Sequence, residues 1–318
     1  MNLAPIAIFA CRRPQHLKFL LKSLGANPEV SNSSAQIFIG GPKNAADWDL
    51  VLQTLEIARE CSIFGELKVH EVFNETTGSG LIRHGVNHVL SASDRVIALE
   101  DDLLVRADFL SFMNGALEEF KDERAVYQVS GWNYGLMEKG ASQKTYFFPV
   151  PTPWGWGTWK RAWTDLPNTK EEFEWLTQRS KRIHDFNFGE NYDCLGMIEA
   201  VLKSNYDAWD AVWYLHCFRN SKLTVYPNSS LTINNGFDGS GLNFTNSFTW
   251  NNSFLEQPQN SFDFSQPIEI SSHKIVFNGL REDWIRISES SNSLTLELHK
   301  IKRKILQHKR YYKHGFYF

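Results

Sequence analysis

Residues 96–104 read Val96-Ile97-Ala98-Leu99-Glu100-Asp101-Asp102-Leu103-Leu104, a short apolar run that ends on three consecutive carboxylates. A β-rich run of this length bounded by polar residues predicts a buried strand. Three adjacent acids repel one another unless a cation or well-placed donors compensate them. In open α/β sheets, ligands gather at the carboxyl ends of strands, where these acids fall, so the junction predicts a divalent metal. A plainer reading is that they cap a helix beginning near Ala107, because carboxylates favour helix N-termini.

Working outward, short apolar runs alternate with helical patterns through the first half of the chain. Strands are predicted at Ile6 to Ala10, Gln36 to Ile39, Leu67 to Val72, Val96 to Leu99 and Ala125 to Ser130. Helices are predicted at Gln15 to Leu24, Asp47 to Cys61, Gly80 to Leu90 and Asp108 to Phe120. Such alternation is the signature of an α/β fold with a mostly parallel sheet flanked by helices. After Gly131 the chain becomes aromatic and punctuated by Gly and Pro, and Pro149 to Trp159 reads as loop. Helices resume at Thr169 to Arg182, Cys194 to Ser204 and Asp207 to Asn220, followed by a Ser/Asn/Gly-rich loop from Asn228 to Asn252. The expected organisation is one large domain over residues 1–250, with a donor half at 1–130 and an acceptor half at 131–250. Residues 251–318 form a helical and loop extension.

The 318 residues carry a net charge of −3, with 42% hydrophobic and 22% charged residues, which excludes wholesale disorder and gives no hint of nucleic acid as a partner. Cys11, Cys61, Cys194 and Cys217 are scattered without zinc-type spacing, and fit a reducing compartment. With no signal-like segment and no apolar stretch of membrane-spanning length, the chain reads as cytoplasmic. Basic and apolar residues mix between His299 and Phe318. This tail could lie on an anionic membrane surface or pack back as a solvated helix.

Three further segments bear on the acids. Cys11-Arg12-Arg13-Pro14 links a strand to a helix start, a natural place for a phosphate. Asp207-Ala208-Trp209-Asp210 puts carboxylates at the start of a helix. Ser230-Leu231-Thr232-Ile233-Asn234-Asn235-Gly236-Phe237-Asp238-Gly239-Ser240-Gly241 is a flexible polar loop of the kind that closes over a ligand.

In this order, and together with Gly41-Pro42-Lys43-Asn44 and Trp154-Gly155-Trp156-Gly157-Thr158-Trp159, these segments resemble the GT-A glycosyltransferases. The likeness is to bacterial sugar transferases related to the N-acetylglucosaminyltransferase I family, over roughly Pro5 to Asn243. It implies a GT-A (Rossmann-like) fold and transfer of a sugar from a nucleotide-diphosphate sugar, with a UDP-sugar favoured. The acceptor would be a hydroxyl of a glycan or lipid-linked acceptor of the bacterial surface. By the same resemblance Asp102 is the ligand of Mn²⁺ (or Mg²⁺) on the diphosphate, Glu100 and Asp101 hold the ribose or donor sugar, and Cys11, Arg13 and Gly80 line the nucleotide pocket. Trp154 and Trp156 pack on sugar rings, with Trp159 beside them. Asp207 is the first choice for the base of an inverting reaction and Asp210 the second. Either could instead be an N-cap carboxylate.

Two positions depart from the resemblance. Gly40 stands where an acid suited to reading uracil is expected, and Asn243 stands where a histidine is expected, a poorer ligand for manganese. They leave open a catalytically weak nucleotide-sugar or glycan-binding relative. A nucleotidyltransferase would carry glycines in its early basic loop, and Cys11-Arg12-Arg13-Pro14 has none.

Overall fold

The computed structural model describes residues 2–133, 144–163, 169–187, 193–204, 207–236, 255 and 262–269. They fall into two compact units, one assembled from Met1–Asn133, Lys139–Asp165 and Leu223–Ile270, the other centred on Leu166–Lys222. The chain thus leaves the first unit and returns to it at Leu223, so the units are not consecutive halves.

The first unit is a helix-flanked, mostly parallel sheet. Its elements run β1 (Ile6–Ala10), α1 (Pro14–Leu24), β2 (Ser34–Gly40), α2 (Trp48–Glu60), β3 (Glu66–Val72), α3 (Gly78–Ala92), β4 (Arg95–Glu100), β5 (Leu103–Val105), α4 (Phe109–Glu119), β6 (Val126–Ser130), β7 (Lys144–Phe148), β8 (Trp156–Trp159) and α5 (Lys160–Trp163). Three strands from later in the chain, β9 (Leu223–Tyr226), β10 (Thr232–Asn234) and β11 (Asp263–Glu269), complete it. Nine strands form one sheet in the order β11-β7-β9-β6-β8-β4-β1-β2-β3, and β5 pairs with β10 in a separate two-stranded ribbon.

The alternation of β1 decides which helices lie where. Ile6, Ile8 and Ala10 join Ile37, Ile39, Ile97 and Leu99 in the main core, against Leu17, Leu20 and Leu24 of α1, Val51 and Leu55 of α2, and Met113 and Leu117 of α4. Phe9 and Phe38 point the other way, onto α3. A side chain at Gly85 of that helix would meet the Phe9 ring at 2.5 Å, so the glycine permits close approach there. Local signals agree with these placements: Pro14 opens α1, and the Thr77 side chain accepts from Gly80 N at the start of α3.

The predicted loop over Pro149 to Trp159 needs correction. Its last four residues form β8, which lies antiparallel between β4 and β6 in the middle of the sheet. Glycine in a strand normally weakens it. Here Gly157 is required, because any side chain would press on Leu117, Met113 and the Val96 carbonyl, each 3.1 Å away. Close packing of α4 explains the glycine that makes this strand look like a loop.

The second unit consists of α6 (Thr169–Thr177), α7 (Ser180–Phe186), α8 (Cys194–Leu202) and α9 (Trp209–Arg219). The helix predicted from Thr169 to Arg182 is two helices, broken after Thr177. The end of α6 at Leu176 accepts from Arg179 N at 2.9 Å, closing the turn. No described helix is long and apolar enough to cross a membrane. The basic segment from His299 to Phe318 lies outside the described residues.

Candidate functional site

The parallel strands β1 and β4 are neighbours, but their connections diverge. The chain leaves β1 for β2 through α1 on the main-core face, and reaches β4 from β3 through α3 on the other. The carboxyl ends of β1 and β4 are therefore the topological switch point of this half of the sheet, where α/β folds leave a crevice. Arg13 follows β1 there, and Glu100, Asp101 and Asp102 follow or close β4.

Main-chain pairing fixes the acids. Phe9 is opposite Glu100, and Asp101 N donates to Phe9 O at 2.9 Å. Asp101 is buried and Asp102 nearly so, and the Arg13 guanidinium bridges them, donating to Asp101 Oδ1 and to Asp102 Oδ2, the latter at 2.9 Å. Burial pushes the Asp101 carboxyl above the ordinary aspartate value, against the pull of the Arg13 charge. Burial would lower Arg13, but Asp101, Asp102 and Glu100 outweigh it and hold the guanidinium firmly charged. The helix-cap reading of the acids does not describe these contacts: Asp108 occupies the N-cap position of α4 and its carboxylate is taken by Arg106 in a buried ion pair at 2.8 Å.

Cys11 lies two residues before Arg13 in the same turn. Its thiol donates to Gly41 O at 3.3 Å, and burial together with the Asp101 charge raises its pKa, which favours the protonated thiol. Gly41 N in turn donates to Glu75 O at 2.8 Å, and a side chain at Gly80 would sit 2.2 Å from Glu75 Oε2. Cys11 and Gly80 are thus joined through the β2 exit loop and the turn before α3.

The late loop reaches the acids as well. The β5–β10 ribbon sets Asn234 opposite Leu103, Asn235 N donates to Asp102 O at 2.6 Å, and a side chain at Gly236 would meet Asp102 Oδ2 at 2.6 Å. Asn234 Oδ1 accepts from Gly236 N at 2.7 Å and lies against the same glycine. Asn243 is outside the described residues.

Trp154 is half-buried and near this ribbon: Thr232 Oγ1 donates to Trp154 O at 2.7 Å, and the Trp132 ring meets Trp154 edge-on at 4.7 Å. Trp156 and Trp159 require correction as sugar platforms. Trp156 is 1% exposed and packs on Trp163, and Trp159 donates its indole N–H to Leu117 O at 3.0 Å, so both are core of the sheet. Their strand is central and covered on both faces, which the pattern of tryptophans and glycines does not reveal. Trp132 was not singled out from the sequence and Asn234 only as part of the late polar loop; each stands at or just past the end of a strand, and that position was the available signal.

Asp207 and Asp210 belong to the second unit. Ala208 is the N-cap of α9, so Asp207 lies outside the helix and Asp210 in its first turn. Burial raises the Asp210 carboxyl above the usual aspartate range, the backbone N–H groups of Ala211 and Asp210 oppose the rise, and Asp207 adds to it. Among the described residues, no group of three or more His, Cys, Asp or Glu side chains is arranged to hold a metal ion. Asp102, with the Asn234 amide oxygen beside the same glycine, suits a hard cation completed by substrate oxygens, the usual manner of Mg²⁺ binding with phosphates.

No family model matches the chain. Among solved structures it is similar to an active-site mutant of LgtC, with 13% identity and a TM-score of 0.34 over 55% of this chain and 64% of that one. It is also similar to residues 1–349 of S. aureus TarS in complex with UDP-GlcNAc, with 15% identity and a TM-score of 0.29 over 40% of this chain and 33% of that one. The chain spans less than two thirds of the length of either.

Proposed function

We propose that the chain is a glycosyltransferase that moves a sugar from a nucleotide-diphosphate sugar, with a UDP-sugar favoured, to a hydroxyl of a glycan or lipid-linked acceptor, with inversion. The observation that carries the reading is the switch-point junction, where Arg13 links Asp101 and Asp102 and the Asn235-Gly236 turn is bonded to Asp102. Switch-point crevices take nucleotides, and the turn sets an arginine and a carboxylate at its mouth. Asp101 is buried behind Arg13 and anchors it. Arg13 holds Asp102 in one orientation. Asp102, with help from Asn234, would hold Mn²⁺ or Mg²⁺, and a bound cation supplies neutralisation of the charge on the departing diphosphate. Cys11 and Gly80 shape the adjoining wall, Glu100 remains a donor contact, and the half-buried Trp154 and Trp132 offer indole surface for a sugar ring.

For the proton acceptor we favour Asp210 over Asp207. A carboxylate raised by burial has a proton affinity closer to neutral pH, which improves it as a general base.

Thermal unfolding of the full chain with UDP-, GDP-, CMP- and dTDP-sugars, each with and without Mn²⁺, tests the donor reading. A ligand at a hundred times its Kd stabilises by about 2.7 kcal/mol. At least one nucleotide sugar is expected to raise Tm, and Asp102→Asn to abolish the Mn²⁺-dependent part. No shift with any of them would overturn the reading, and a shift with no release of nucleoside diphosphate in the presence of acceptors would favour a binding protein.

A further inference from the structure

The second unit carries a cluster that the donor reading does not use. The guanidinium groups of Arg179, Arg182 and Arg219 lie 4.9, 5.4 and 5.7 Å from the centre of one indole, that of Trp175, and Arg182 also stacks on Phe218 at 4.8 Å. Three cations gathered on one ring repel one another, as three adjacent acids do. Arg219 is compensated by Glu171 at 3.2 Å and, more distantly, by Glu172 at 4.0 Å. Arg179 and Arg182 pair with no described carboxylate, and Arg179 is fixed by donating to Trp175 O at 2.6 Å.

We propose that Arg179 and Arg182, floored by Trp175, form a binding site for the oxyanion groups of an acidic glycan. Stacking holds a guanidinium by its faces and leaves the in-plane N–H donors, other than the one Arg179 gives to Trp175 O, turned outward, the geometry that grips carboxylate, phosphate or sulfate in a bidentate manner. Because the rings already restrict these side chains, binding costs less ordering than it would with free arginines. Arg179 is exposed and Arg182 and Trp175 half-buried, so the donors reach solvent. A membrane surface would need apolar side chains to insert beside the charges, and Leu202, on α8, is the single large apolar side chain prominently exposed among this unit's described residues. The choice of a glycan over another polyanion rests on the sugar-transfer reading above.

The test is titration of the full chain with oligogalacturonate and with a heparin hexasaccharide, using dextran as the neutral control and phosphatidylserine vesicles as the competing surface. Both arginines are at least partly exposed, so Arg179→Gln/Arg182→Gln is expected to fold, verified by thermal unfolding. Lys203→Gln removes an exposed charge elsewhere on the unit. The double variant is expected to bind at least one acidic probe about tenfold more weakly or worse, the scale of one lost charge-assisted bond, with Lys203→Gln unchanged and dextran not bound. Equal binding by wild type and double variant, equal loss in Lys203→Gln, or Arg-dependent binding to vesicles in preference to glycans overturns the site. Nucleotide-sugar thermal shifts measured on the same proteins separate the two proposals: a donor shift retained in a double variant whose glycan affinity is unchanged removes this site and leaves the transferase reading standing.

Discussion

Arg13 is the residue on which most depends. It neutralises a carboxylate that is 3% exposed while remaining only 18% exposed itself, so neither charge can be rehydrated in place if the other is removed. Arg13→Met is expected to lower stability by roughly 3 kcal/mol, the cost of stranding a buried charge, measured by urea unfolding. Asp101→Asn in the same background should recover part of that loss, because the stranded charge is gone. Asp210 gives a pH signature of opposite character. An unfolded aspartate titrates near ~3.9, and the folded group titrates higher, so between those values the native state holds the extra proton. Stability therefore falls as pH rises through that window, and above it the burial penalty is fully felt. Asp210→Asn is expected to remove this slope and to raise the urea midpoint at neutral pH. A variant with the wild-type slope from about pH 4 to about pH 7 would contradict the assigned burial. Arg13 and the acids were legible in the sequence because charge crowding at a strand end is a local signal. The half-burial of Trp154 and the full burial of Trp156, two residues apart, were not, since both depend on which strands lie alongside.

At the scale of elements, β8 shows where local pattern fails. Its Trp-Gly-Thr-Trp sequence sets the smallest residue beside the largest, and only the helix α4 packed over Gly157 makes that glycine fit a central strand. Trp156→Ala would empty a fully covered position, with an expected loss of about 3–5 kcal/mol in chemical unfolding. Gly155 just before it has φ +74°, and an added methyl group would sit 2.7 Å from Thr232 Cγ2. Gly155→Ala is therefore expected to destabilise through both backbone and contact, and to disturb the β5–β10 ribbon more than the main sheet. The helices of the first half were legible from their periodic apolar faces, which α1 adds to start and stop signals at Pro14 and Gly25. The break between α6 and α7 carries neither Gly nor Pro, and sequence pattern runs straight through it.

For the whole molecule, the parallel sense of the first four strands could be anticipated from their alternation with helices, but their order and the far half of the sheet could not. There the chain places β8 beside β4 and β6, then leaves for the second unit and returns as β9 between β6 and β7. These pairings join residues far apart in sequence, and no local propensity encodes them. They also set an order of assembly. As the chain is synthesised, β1 to β4 can pair as soon as they emerge, yet the outer edge of β4 has no neighbour until residues 156–159 follow, more than fifty positions later. In that interval a four-residue row of buried apolar groups, Val96 to Leu99, stands as an open strand edge able to pair with another nascent chain. A chain ending at Asn133 is expected to reproduce this intermediate and to aggregate on refolding at concentrations where the full chain stays dispersed, as followed by light scattering. The late arrival of one four-residue strand would then govern how much of the protein reaches its native form.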